Sequence, residues 1–486
     1  MLFNSYVFIF GFLPLALCVF HGMRRLGFDR AAMAVLAAAS LLFYAWWSVA
    51  GLVLLVVLMA ANYGLVLLLC QPSDLRSARA ILFVIGIAIN LGVLGYFKYT
   101  NFFLENWSAL TGITSATIPI VLPLGLSFFI FQKIALLSDA FKGKVQHLDP
   151  IDYVLFVSFF PQLIAGPIVH HSEVMPQFSN CRRALPGEFA EGISLFIIGL
   201  SKKVLLADNL SEWVQPLFHE VAAGHAPTFG AAWIGALSYS MQLYFDFSGY
   251  SDMAVGLGLL FGVRLPINFN SPYKAESIVD FWRRWHMTLS RFLRDYLYVP
   301  LGGNRSGPVR RFTNLAITMA LGGFWHGAAW TFVVWGLLHG FYLIVNHGWL
   351  ALQAYVSKPR LPDPIALVLS RTTTFVAIVA AWVLFRSPDL SSAGSILSAM
   401  AGFEGRAQPG PDIVLAAPAL ALLMGVVWFA PNSLELATRF TKEDKKGASM
   451  LPGQGLKPIG AVTLGILFAA SVMSLTHVSE FLYFQF

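Results

Sequence analysis

Two segments hold the residue types that could do chemistry: FWRRWHMTLSRFLRDY (Phe281–Tyr296) and LGGFWHGAAWTF (Leu321–Phe332). Each sets a histidine, His286 or His326, beside tryptophans, and the first adds Arg283, Arg284, Arg291 and Arg294. A neutral imidazole can take a proton from a hydroxyl. A guanidinium presents a planar fork of donors that suits phosphate oxygens. The pair of segments therefore reads as a place where a polyanionic donor meets a general base.

The elements that must carry these residues are membrane helices. Of 486 residues, 57% are hydrophobic and only 12% are charged, with a mean hydropathy of +0.68. A soluble domain carries roughly 25% charged residues. Apolar runs recur from residues 6–20 through 459–475, and a spanning helix needs about 20 residues, so about ten to twelve spans are expected, some short, broken or re-entrant. The whole chain, 1–486, reads as one all-α polytopic membrane domain. Charged and imidazole side chains are costly in hydrocarbon, so those kept in such a chain are expected to be used.

No Lys or Arg precedes Arg24, and no small-residue cleavage site follows the first apolar run, so residues 6–20 read as a retained first span. Arg24, Arg25 and Arg30 follow it, and Arg76 and Arg79 follow two further runs. Positive-inside bias puts both loops in the cytoplasm and the N-terminus outside. Three cysteines, Cys18, Cys70 and Cys181, give neither a disulfide framework nor metal-ligand spacing. No metal site and no nucleic-acid partner are expected. The net charge of +7 is concentrated: Arg264 to Arg311 holds nine Lys/Arg against three acids.

On a continuous helix over 281–296, Phe281, Trp285, Leu289, Phe292, Leu293 and Tyr296 share one side. The four arginines fall in a single arc of roughly 100° on the other side. His286 lies at the margin of the apolar stripe. Such a helix either lies on anionic lipid at the interface or binds the phosphates of a donor. In the second segment, Gly322 and Gly323 precede His326 and Gly327 follows it. Burial favours the neutral form of an imidazole there. His339 stands thirteen residues further on, which is about 220° round a continuous helix and roughly 20 Å along it. The two histidines could not share a metal on such a helix.

Two further features have open readings. The run MQLYFDFSGYSDMAVG places Gln242, Asp246 and Tyr250 on one helical face, and Ser248 and Asp252 on another. A carboxylate in the bilayer costs roughly 2.5–3.5 kcal/mol on insertion scales, so each needs a partner. The aspartates are either interhelical contacts or part of a polar pocket. Pro161 and Pro167 interrupt the run FFPQLIAGPIVHH (Phe159–His171), either as a kink in a packed helix or as a broken segment. Irregular backbone at membrane depth must be buried in protein or line a cavity.

Five stretches together resemble the membrane-bound O-acyltransferase superfamily, in its bacterial alginate O-acetyltransferase branch. They are LPLGLSFFIFQKI (Leu122–Ile134), MQLYFDFSGYSDMAVGLG (Met241–Gly258), FWRRWHMTLSRFLRDYLYVPLGGNR (Phe281–Arg305), LGGFWHGAAWTFVVWGLLHG (Leu321–Gly340) and FLYFQF (Phe481–Phe486). The opening MLFNSYVFIFGFLP also fits. The resemblance implies a ring of transmembrane helices around a thinned centre crossed by a tunnel. It matches His326 to the superfamily's essential histidine and His286 to a second histidine near the tunnel's cytoplasmic side. Trp325 and Trp330 are expected to wall the pocket. Ala329 departs from the family, which often has a polar residue after WHGA.

The resemblance implies an inner-membrane O-acetyltransferase with no permanently bound cofactor. It would move acetyl from cytoplasmic acetyl-CoA to a hydroxyl of an exported or wall polysaccharide, or to a periplasmic relay protein. A related enzyme carrying D-alanyl or a longer acyl group is one rival. A transporter of an acyl donor or polymer is another, but transporters often show inverted repeats and none is visible here.

Overall fold

The computed structural model describes residues 1–71, 76–114, 116–145, 147–305, 307–355, 362–403, 411–441, 456–475 and 481–482. Among them there are helices, turns and irregular segments and no strand, as an all-α polytopic membrane protein requires. Among the described residues four helices are long and apolar enough to cross a bilayer: Val7–Arg25, Val49–Cys70, Arg76–Thr111 and Asp363–Arg386. Other helices are shorter or carry polar residues. The 32-residue helix Phe229–Leu260, for example, contains Gln242, Asp246 and Asp252. Residues 483–486 of the terminal motif lie outside the described residues.

The chain forms two compact units. The first comprises Met1–Ser201, Gly249–Ile267 and Ser433–Gln485. The proline-interrupted run lies here and is a broken segment. Helix Pro150–Ser158 stops at Phe159, a single turn covers Phe160–Leu163, and the chain then runs irregularly to helix His171–Ser179. The break is buried, as such backbone must be. Phe160 packs among Phe3, Phe8 and Phe43, and the Phe160 N–H donates to Ser40 Oγ at 3.2 Å. Arg24, counted above among cytoplasmic charges, is 4% exposed and donates to Asp29 and to the carbonyls of Cys181 and Arg182. It is an internal tie of this unit. Asp252, one of the two aspartates of the polar run, also belongs to this unit and is half-buried.

The second unit comprises Lys202–Ser248 and Asn268–Asn432. Its centre is a helical hairpin, Gly307–His326 and Trp330–Tyr355. Three residues, Gly327 to Ala329, break the helix between His326 and Trp330, so the continuous helix assumed above for His326 and His339 does not exist. The hairpin closes tightly because glycines face each other across it. A Cβ on Gly323 would sit 2.2 Å from the Phe332 carbonyl oxygen, and one on Gly336 2.2 Å from that of Met319. Any side chain there would force the backbones apart.

The basic segment differs from expectation too. Residues 281–296 are not one helix. Helix Ile278–Trp282 ends, the chain reverses through His286 at φ 42°, and helix Met287–Leu293 begins before a π-helical turn at Arg294–Tyr298. The left-handed conformation is costly for a residue with a Cβ and persists only where its surroundings over-determine it. Asn268 supplies that determination. Its carbonyl accepts the Met287 N–H at 3.0 Å, and its Oδ1 accepts from the Thr288 N–H at 3.3 Å and the Thr288 hydroxyl at 2.9 Å.

Candidate active site

His326 is the last residue of the Gly307–His326 helix and is 6% exposed. Aromatic rings surround its imidazole: Trp325 at 5.0 Å between centroids, Trp335 at 5.2 Å and Phe385 at 5.2 Å, all three edge-on. The helix break explains the arrangement. Gly327 gives the chain room to turn, because a Cβ there would overlap the Phe332 ring at 2.0 Å. The returning helix then brings Trp335 back to His326. Trp325 is buried. Trp330 is 54% exposed at the start of the returning helix. Trp335, a turn and a half later, packs on the imidazole.

His286 is fully buried and its ring lies 6.4 Å from that of His326. The αL turn aims it inward, and Phe247 packs on it at 4.8 Å. Asn268 Oδ1 lies 3.1 Å from His286 Nδ1. An amide oxygen can only accept, so Nδ1 carries the proton and the lone pair of the neutral ring lies on Nε2. The segments read as chemical in the sequence thus meet, with two imidazoles in one aromatic enclosure.

The four arginines do not share a helical arc, because the helix they were placed on is broken. Arg284 pairs with Asp280 at 2.9 Å and Arg294 with Asp295 at 2.6 Å. Arg291 is half-buried, and Arg283 is exposed. Asp246 does have the partner that its burial demands. Lys203, 1% exposed, donates to Asp246 Oδ1 and Asp208 Oδ1, each at 2.8 Å. Gln242, one turn before Asp246, is buried on the same helix. Asp252 belongs to the other unit. Among the described residues no three His, Cys, Asp or Glu side chains come together as a metal site would need.

Lys203, Asn268 and Trp335 escaped the sequence reading. Lys203 sits in an apolar run, and that cost was a usable signal. Asn268 lies in a loop-like stretch, INFNSP, with nothing to mark it. His339 is fully buried. Its Nδ1 accepts from Trp282 Nε1–H at 3.3 Å, and Trp335 packs on it at 4.8 Å.

The profile of the membrane-bound O-acyltransferase family matches residues 125–384, which include every residue of this site but Phe385. A peptidoglycan O-acetyltransferase of Helicobacter pylori is 43% identical over 83% of this chain and 80% of its own length. A probable alginate O-acetylase of Azotobacter vinelandii is 37% identical over the full length of both. A teichoic acid D-alanyltransferase of Streptococcus thermophilus is 28% identical over 49% of this chain and 60% of its own. This chain belongs to the membrane-bound O-acyltransferase family and is a multi-pass membrane O-acetyltransferase.

Proposed function

We propose that this protein acetylates hydroxyls of an exported or cell-wall polysaccharide, directly or through a periplasmic relay protein, with cytoplasmic acetyl-CoA as the donor. It would act in the inner membrane with its N-terminus outside. The observation that carries the reading is His326, an imidazole enclosed by Trp325, Trp335 and Phe385 with His286 6.4 Å away. Relatives named as O-acetyltransferases of peptidoglycan and alginate support the acyl group and the class of acceptor.

In this reading His326 takes the proton of the acceptor hydroxyl as its oxygen attacks the thioester carbonyl carbon. The new C–O bond forms and the carbonyl π pair moves onto oxygen. Collapse breaks the C–S bond, and the thiolate leaves with the proton from His326 as free CoA. His286, held by Asn268 with its lone pair on Nε2, orients the attacking hydroxyl. Arg283 and Arg291 contact the donor's phosphates. The water-excluding aromatic walls keep the thioester from hydrolysis.

The test is His326→Ala in membranes containing the full chain. Acetyl transfer should fall by roughly 10²–10⁴-fold or more, as expected when a single base is lost, while detergent-extracted protein stays monodisperse. Near wild-type transfer would remove His326 from the mechanism. D-alanyl transfer is the second reading, favoured by the partial likeness to the teichoic acid enzyme. Mass analysis of the acyl group on the product separates the two.

A further inference from the structure

The returning helix carries two N–H groups that the chemistry above leaves unused. Trp335 Nε1 and His339 Nε2 are both buried and accept or donate no hydrogen bond among the described residues. The tautomer of His339 follows from its neighbour. Indole N–H can only donate, so the bond from Trp282 Nε1 to His339 Nδ1 makes Nδ1 the acceptor. The proton of the neutral ring is then on Nε2, which is a donor. Trp335 and His339 are four residues apart on one helix and therefore share a face. Trp335 touches both His326, at 5.2 Å, and His339, at 4.8 Å. Two orphaned donors thus stand on one surface beside the candidate base. A buried donor with no acceptor is a standing cost to the fold, and side chains are kept at such a cost where a ligand satisfies them.

We propose that Trp335 Nε1–H and His339 Nε2–H are the carbonyl-binding pair of the acyl donor, and that they hold the oxygen on which negative charge develops during transfer. This inference rests on the acetyl-transfer reading above. As the acceptor oxygen adds to the thioester carbon, the π pair passes to the carbonyl oxygen and both N–H groups donate to it. When the C–S bond breaks, the pair returns to re-form the carbonyl of the ester. The proton given up by the hydroxyl travels through His326 to the leaving thiolate, and none is supplied by Trp335 or His339. Their enclosure by Phe281, Trp282 and Trp382 excludes water, the setting in which fixed donors are most effective at a developing oxyanion.

Trp335→Phe and His339→Phe each keep a ring in place and delete the N–H, and His339→Gln keeps a donor. In membranes containing the full chain, each Phe variant should lower kcat by roughly 10²–10³-fold, the usual loss for one such donor, with the KM for acetyl-CoA within about threefold of wild type. His339→Gln should recover at least about tenfold of the loss. A folded Phe variant with kcat within threefold of wild type overturns the proposal, as does a raised KM at unchanged kcat. So does a His339→Gln no better than His339→Phe. If Trp335→Phe does not fold, the two His339 variants decide alone. A wild-type protein that takes no acetyl from acetyl-CoA would sink the donor assignment instead. The same variants are then read by the O-acyl content of the cell's exported polymer. The Phe variants should lose it by at least tenfold, and wild-type content in them would overturn the carbonyl-binding pair.

Discussion

At the scale of single residues, the second unit is held by polar groups that hydrocarbon would reject if they stood alone. Asn268 is one. Its Oδ1 accepts from His286 and twice from Thr288, and its carbonyl accepts the Met287 N–H. Asn268→Leu would leave the His286 and Thr288 donors buried without the acceptor, at roughly 1–3 kcal/mol for each group. It would also release the αL turn that aims His286. Both thermal stability in detergent and acetyl transfer should fall. Retained activity would separate His286 from the mechanism. Lys203 is the other. Removing it takes the ammonium from Asp246 and Asp208, and breaking a buried pair costs roughly 3–5 kcal/mol. Lys203→Met should lower the unfolding midpoint strongly, and adding Asp246→Leu should restore part of it because the buried carboxylate that faced the ammonium is gone. If the double variant unfolds no higher than the single one, the Asp246 pair does not carry the loss.

At the scale of elements, what the sequence revealed and what it hid have different physical causes. The membrane helices and the two histidine segments were legible, because hydropathy and the cost of polar groups in lipid leave a mark at the residue itself, and Pro161 and Pro167 marked an interruption while leaving kink and break equally open. The breaks at 283–286 and 327–329 were not. No proline marks either, and His286 adopts its left-handed turn because Asn268, eighteen residues upstream, ties it down. The arginine arc failed with that helix, so the arginines act as two groups. Arg284 and Arg294 serve local pairs, while Arg283 makes no such pair among the described residues and is exposed. Arg283→Ala/Arg291→Ala should therefore weaken CoA binding, whereas unchanged affinity would leave the segment a lipid-facing one. The hairpin gives a sharper test. Gly336→Val should separate the two helices and displace Trp335 from His326, abolishing transfer, since its Cβ would overlap the Met319 carbonyl oxygen at 2.2 Å. Gly348→Ala, on the same helix with nothing within 4 Å of its Cβ, should be tolerated or gain up to about 1 kcal/mol of helix propensity. Equal loss in both variants would contradict close packing as the cause.

At the scale of the whole molecule, the proposed reaction sets a demand that no single residue can meet. Acetyl-CoA is cytosolic and too polar to cross the bilayer, and an exported polysaccharide is modified outside. One histidine can serve both only if a passage reaches it from each face. His326 sits where a helix stops short of its continuation, and the three residues of the gap include Ala328 and Ala329, both half-buried. Backbone that leaves the helix at membrane depth is tolerated where it lines a cavity or is packed in protein, so these alanines are the positions to probe. Cysteines at Ala328 and Ala329 in an otherwise cysteine-free active protein should react with membrane-impermeant thiol reagents. Labelling from the cytoplasmic face should fall when CoA is bound, because the pantetheine arm fills the path. Labelling from the periplasmic face should persist until an acceptor occupies that side. If both positions stay inert from both faces while transfer continues, no aqueous passage reaches His326, and the donor must arrive laterally from the lipid side.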